Sequence, residues 1–208
     1  MKTDFFDAID NKKKRLILEA ALKEFSLKGY AATTTRDIAK AANVSNGLLF
    51  YYFKDKNTLF FKLINYSIEH ILKIILSELK EDLSYFDALK QLCITKLELS
   101  VEYPEAYKLL MEEVAYFPEQ FKQDNIRIKL EIEKKLCFIE KSNKTMFKKD
   151  LNTILIKEIL VSALEGMTER LISEYRSENI TMEDVLRIGF EKANVYLNFF
   201  SNNFTLDK

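Results

Sequence analysis

The sequence has no tryptophan, one histidine, two prolines, two cysteines and four glycines in 208 residues. Each scarcity excludes something. So few turn-forming residues cannot punctuate many short strands, and the chain is expected to be mostly helical. Cys93 and Cys137 stand far from each other and from histidine. That excludes a disulfide framework or a cysteine-rich metal site, and leaves two reduced core thiols of the kind cytosolic proteins carry. The single histidine, His70, lies in an apolar helical stripe and reads as a packed residue. A His-based triad would have to be built around it alone, and a carboxylate-bridged di-iron bundle needs Glu-x-x-His motifs that are absent. No Gly-rich phosphate loop occurs. The chain is therefore not read as an enzyme, and neither a metal nor a cofactor is expected. No apolar run approaches the ~18–20 residues that cross a bilayer. The N-terminus, MKTDFFDAIDNKKKR, lacks the apolar centre of a secretion signal, so a cytoplasmic protein without a membrane partner is expected.

What is present is apolar enough, at 48% of residues, for a sizeable core, and charged enough, at 31%, for a solvated surface. Net charge is zero but unevenly spread. Residues 1–60 carry 11 Lys and Arg against 7 Asp and Glu, leaving 21 against 25 in residues 61–208. A basic N-terminal quarter on an acidic remainder is the asymmetry expected where one end meets a polyanion.

Helix punctuation is legible along the chain. A first helix over about 11–28 carries Ile17, Ala21 and Phe25 on one face and stops at Gly29. Thr34 and Asp37 form a capping box for a short second helix with a small apolar face of Ile38, Ala39 and Ala42. Asn43 suits a left-handed turn. Ser45 caps a third helix ending near Lys54. Ala39, Ala42 and Gly47 are expected to leave room where the second and third helices cross. A long helix runs from Lys56 to about Lys80. Further helices are expected over 85–102 after Ser84, 104–115 from Pro104, 118–142 from Pro118, 150–176, and 182–201 with a Thr181–Asp184 box. The clearest loops are 142–149 and 177–180.

Three short helices with tight turns describe a helix-turn-helix. The third contains Phe50, Tyr51, Tyr52 and Phe53 in a row. Leu49 and Phe53 are expected to face the core. Tyr51 divides evenly between core and surface. Lys12, Lys13, Lys14 and Arg15 are either a solvated helix start or an arm that follows a phosphate backbone.

Residues 17–64 combine Phe-x-x-x-Gly-Tyr, a Thr-Thr cap, Asp-Ile-Ala, Val-Ser-x-Gly and Tyr-Phe-x-x-Lys. Together these resemble the DNA-binding domain of the TetR family of bacterial transcription regulators. The resemblance implies an all-α fold, with an N-terminal three-helix helix-turn-helix domain (1–55) joined by a long helix to a larger helical ligand-binding and dimerisation domain (56–208). It places the recognition helix at about 46–52. Asn46, Gly47 and Leu48 then stand where family members touch base edges or the nearby backbone. An asparagine reads an adenine edge, whereas Leu48 offers only contact with a thymine methyl. Tyr52 and Lys56 match positions that reach phosphate. Thr34 and Thr35 open a helix whose N-terminal amides suit phosphate, and Arg36 reaches base or backbone. Two residues depart from the family pattern: Phe50 stands where a phosphate-binding tyrosine is common, and Leu48 where threonine is common.

The implied function is a dimeric, ligand-responsive regulator, most simply a repressor released from a palindromic double-stranded operator by a small-molecule effector. Tyr107, Met111, Phe117, Phe138 and Met167 are candidates for the effector pocket, with Glu112, Glu113, Glu165 and Glu169 as possible partners of a cationic ligand. The homodimer interface is expected on two late helices. One contributes Leu155, Ile159, Ala163 and Gly166; the other contributes Val185, Gly189, Ala193, Tyr196 and Phe200. The rival reading is a helical protein-interaction or sequestering module that has lost operator binding, suggested by the apolar Leu48 and Phe50.

Overall fold

In the computed structural model, residues 5, 6, 9, 11–142, 147, 148, 152–177 and 179–205 are described, and these contain nine helices and no strand. They are α1 (Lys12–Ala32), α2 (Thr35–Ala41), α3 (Asn46–Phe53), α4 (Lys56–Glu78), α5 (Tyr85–Glu102), α6 (Pro104–Tyr116), α7 (Pro118–Ser142), α8 (Thr153–Arg176) and α9 (Met182–Phe204). None is long and apolar enough to cross a membrane.

Local chemistry sets most boundaries. Both expected capping boxes form: Thr34 and Thr181 each accept from the amide three residues on, and Asp37 and Asp184 reach back to the cap amide. Ser45 Oγ accepts from Leu48 N at 3.2 Å. Ser84 Oγ accepts from Asp87 N at 3.1 Å. Asn43 takes the left-handed conformation with φ 52°. Two ends differ from expectation. Gly29, at φ 77° and ψ 165°, kinks α1, and one more turn follows to Ala32. Thr33 closes that turn by donating its hydroxyl to Gly29 O at 2.7 Å. The start of α8 moves to Thr153 because Asn152 Oδ1 takes the Leu155 amide. The expected loop 142–149 falls mostly outside the described residues.

Packing groups the chain into two compact units, residues 1–72 with 103–128 and residues 73–102 with 129–208. In the first, α1 packs on α2 and α6, and α2 on α3. Ile17, Phe25, Ile38, Leu49, Phe53 and Phe60 are its fully buried centre. An aromatic cluster surrounds Tyr30: Phe60 at 4.8 Å, Phe117 at 5.0 Å and Tyr116 at 5.6 Å between ring centroids. In the second, α5 packs on α8 and α9, and α8 on α9, around Leu89, Leu97, Leu164 and Val185. Cys93 is buried there, which pushes its thiol pKa up to about 11, whereas Cys137 is exposed on α7 and is not the core thiol expected.

Candidate nucleic-acid interface

The recognition helix is built outward from its buried edge. Leu49 and Phe53, one turn apart, are fully buried and fix α3 to its domain, as their spacing required. The opposite side is open. Tyr51 is 79% exposed and Phe50 42% exposed, while Leu48 and Tyr52 are half-buried. Tyr51 is thus the most exposed of the four aromatics, and the structure adds it to the candidate contacts. The signal was available: a residue two positions from both Leu49 and Phe53 points away from the face those two bury.

Gly47 is exposed, and a Cβ placed there would meet only Ser45 Oγ at 3.9 Å. Its small size is therefore not needed for the crossing of α2 and α3, contrary to expectation. Ala39 and Ala42, both buried, fill that role. At Gly47 the missing side chain instead leaves the outer surface of α3 low enough for another backbone to approach. Asn46 Oδ1 is shielded from solvent with no hydrogen-bond partner among the described residues.

The start of α2 is more committed than the sequence suggests. The Thr34 hydroxyl donates to Asp37 Oδ2 at 2.8 Å, so a carboxylate already sits at the helix N-terminus. The hydrogen bond from Thr34 holds the Asp37 pKa below its ordinary value, assisted by the charge of Lys28 at 3.8 Å. Half-buried Thr35 and exposed Arg36 are left to meet a phosphate.

Lys56 differs most from its expected role. Its ammonium donates to the carbonyl oxygens of Tyr30 at 2.9 Å and Thr33 at 3.0 Å, with Ala31 O at 3.5 Å. It also sits 4.4 Å from the centroid of the Tyr30 ring. These carbonyls close the last turn of α1, where acceptors lack helical partners. Lys56 acts as a C-terminal clamp on α1, and its N–H groups point into the domain.

The chain's sequence places this geometry among known proteins. Residues 17–63 match the model of the N-terminal domain described as bacterial regulatory proteins, tetR family. That segment is a TetR-family domain. The chain is 39% identical over 105 residues to the HTH-type transcriptional regulator RutR of Escherichia coli K12, covering 49% of this chain and 48% of RutR. The chain thus spans about half the length of the curated relatives it matches first. It is 28% identical over 151 residues to IcaR of Staphylococcus aureus Newman, the negative transcriptional regulator of the biofilm operon icaADBC, covering 69% of this chain and 78% of IcaR. The fold is shared with the fatty acid degradation regulator FadR of Bacillus halodurans, at TM-score 0.70 and 18% identity over 91% of this chain and 96% of FadR.

The structure places the remaining candidates unevenly. Of the effector candidates, Phe117 belongs to the aromatic cluster around Tyr30, Met167 is buried in the second unit, and Phe138 is half exposed on α7. Tyr107 is half-buried on α6, and the Met111 side chain lies outside the described residues. Tyr107 and Phe117 belong to the first unit, and Phe138 and Met167 to the second. The second unit does hold a cavity of about 20 Å³, room for one water, lined by Leu92, Cys93, Lys96, Leu164, Glu165 and Thr168 among others. Glu165 is paired there with Lys129 at 3.2 Å and lies 4.0 Å from Lys96, which removes it as a partner for a cationic ligand.

On the expected dimer helices, Val185, Gly189 and Ala193 are buried inside the protomer. A Cβ at Gly189 would lie 2.3 Å from Leu97 Cδ1, so this glycine serves the approach of α5 to α9 and is not surface. Leu155 and Ile159 are exposed, and Ala163, Gly166, Tyr196 and Phe200 are half exposed. Val195 and Phe199, not singled out in the sequence, are exposed on α9.

Proposed function

We propose that this protein is a dimeric, ligand-responsive transcriptional regulator that represses by binding a near-palindromic operator through α2 and α3. The observation that carries the reading is α3 itself. One edge is locked by the fully buried Leu49 and Phe53; the other carries the exposed Gly47, Phe50 and Tyr51 and the half-buried Asn46, Leu48 and Tyr52, and Arg36 on α2 is exposed. A helix held this way suits the major groove, with base contacts near its N-terminus. Residues 1–55 are the DNA-binding part, and 56–208 carry dimerisation and effector control. The role of IcaR as a negative regulator supports repression.

Leu155, Ile159, Ala163 and Gly166 on α8, with Val195, Tyr196, Phe199 and Phe200 on α9, supply the surface for a second copy. A two-fold dimer then sets two recognition helices about one DNA turn apart. An effector releases DNA by binding more tightly to the conformation in which both helices no longer fit at once. Selection of bound fragments from random duplexes tests the reading. An enriched palindrome is expected; absence of enrichment assigns the chain to the sequestering-module alternative.

A further inference from the structure

The N-terminal segment MKTDFFDAIDNKKKR places two adjacent phenylalanines in a run of polar and charged residues. Both are buried: Phe5 is 8% exposed and Phe6 3%. A turn follows, in which Ile9 N donates to Phe6 O at 3.1 Å, and Asn11 then caps α1. The two rings enter a cleft whose walls are aromatic. Phe5 lies 4.5 Å from the His70 ring and 5.0 Å from that of Tyr103. Phe6 stacks on Tyr66 at 5.2 Å, with the ring planes 25° apart.

The walls belong to other elements. Tyr66 and His70 are one turn apart on α4 and stack at 6.3 Å, and Tyr103, just before α6, meets His70 edge-on at 5.5 Å. Three rings held by helical scaffolding and filled by two inserted rings form the geometry in which proteins hold flat aromatic ligands.

We propose that the cleft of Tyr66, His70 and Tyr103 is a binding site for a small, uncharged, planar aromatic molecule, and that Phe5 and Phe6 occupy it as a competitor carried by the chain itself. Two phenols and an imidazole supply polar edges to orient such a ring. Glu69, beside His70 in sequence, is committed to Arg127 at 2.5 Å, which favours an uncharged ring over an organic cation. A tethered competitor that fills the site nine-tenths of the time or more weakens the apparent affinity about tenfold or more, and removing its rings restores that factor.

The chain has no tryptophan, so indole serves as a probe whose fluorescence is free of tryptophan background. The full-length F5A/F6A variant should bind indole at least about tenfold more tightly than the parent, and adding Y66L should abolish the gain. A peptide of residues 1–10 should displace indole from F5A/F6A, whereas the same peptide with both phenylalanines changed to alanine should not. If F5A/F6A does not fold, F5L/F6L is measured by the same readings, with a smaller gain expected. Unchanged indole affinity in a folded variant overturns the proposal, as does a gain that survives Y66L. Binding of tetramethylammonium in place of indole also overturns it, in favour of a cation cage. The measurement contains no DNA, so its outcome is independent of the regulatory reading above.

Discussion

Lys56 Nζ lies 2.9 Å from the carbonyl oxygen of Tyr30 and 4.4 Å from the centroid of the same residue's ring. One cation thus caps the end of α1 through the backbone and packs on an aromatic face. Tyr30 is in turn enclosed by Phe60, Phe117 and Tyr116. Charged hydrogen bonds and a partly exposed cation–π contact together suggest that Lys56→Ala costs about 2 kcal/mol of stability, read by urea denaturation. Because the ammonium points inward, the salt dependence of DNA binding should stay the same. A salt slope reduced by about one would return Lys56 to the phosphate backbone.

Phe50 is the place to add what the recognition surface lacks. It is 42% exposed, so the ring already reaches solvent. Phe50→Tyr should leave stability unchanged and tighten operator binding by about 1 kcal/mol, roughly fivefold, through one added hydrogen bond to phosphate. Fluorescence anisotropy with the selected duplex measures it; equal affinities would remove Phe50 from the interface.

The two glycines of α8 and α9 should respond oppositely. Gly189→Ala drives a methyl into Leu97, which is buried, and should destabilise by about 1–3 kcal/mol. Gly166 has nothing within 4 Å of an added Cβ, and Gly166→Ala should stabilise the isolated fold by about 0.5–1 kcal/mol through helix propensity. Chemical denaturation at low protein concentration distinguishes them. Shortening Leu97 to Val alongside Gly189→Ala should recover part of the loss, which tests the pair as coupled neighbours.

Ile159, exposed at the middle of α8, is the most direct test of the dimer. Ile159→Glu places a charge in the proposed two-fold contact, opposite its own copy or close to it. Sedimentation should show monomers where the parent shows dimers, with the thermal transition of the monomer retained. A dimer unaffected by the substitution would move the interface elsewhere.

Acid should loosen three helix starts. Asp37 and Asp184 are held below the ordinary 3.8 chiefly by the hydroxyls of Thr34 and Thr181, and Asp55 chiefly by the Thr58 amide. A carboxylate with a lowered folded-state pKa contributes stability that is complete above the unfolded value and lost as pH falls through the folded one. Melting temperature should therefore be insensitive to these groups above about pH 5 and fall progressively below about pH 4. Asp37→Asn should flatten part of that acid limb, and a limb unchanged in the variant would show that the box does not titrate as described.

What the sequence by itself determined is where most of the helices begin. A cap is a contract between residues three apart, as in Thr34 with Asp37, Ser45 with Leu48 and Thr181 with Asp184, so it is legible without knowing what packs on what. The buried edge of α3 was equally legible, because Leu49 and Phe53 sit one turn apart. Tertiary structure decided the rest, because those choices join residues far apart in the chain. The face of α9 bearing Val185, Gly189 and Ala193 could have met a second copy, and only the approach of Leu97 turned it inward. Lys56 reads as a phosphate ligand until its partners, 23 to 26 residues earlier, are in place. Phe5 and Phe6, lost in a polar run, became buried only because α4 and the start of α6 brought three rings to meet them. Apolar periodicity says that a face must be covered; it does not say by what, since burial is non-directional and many surfaces satisfy it.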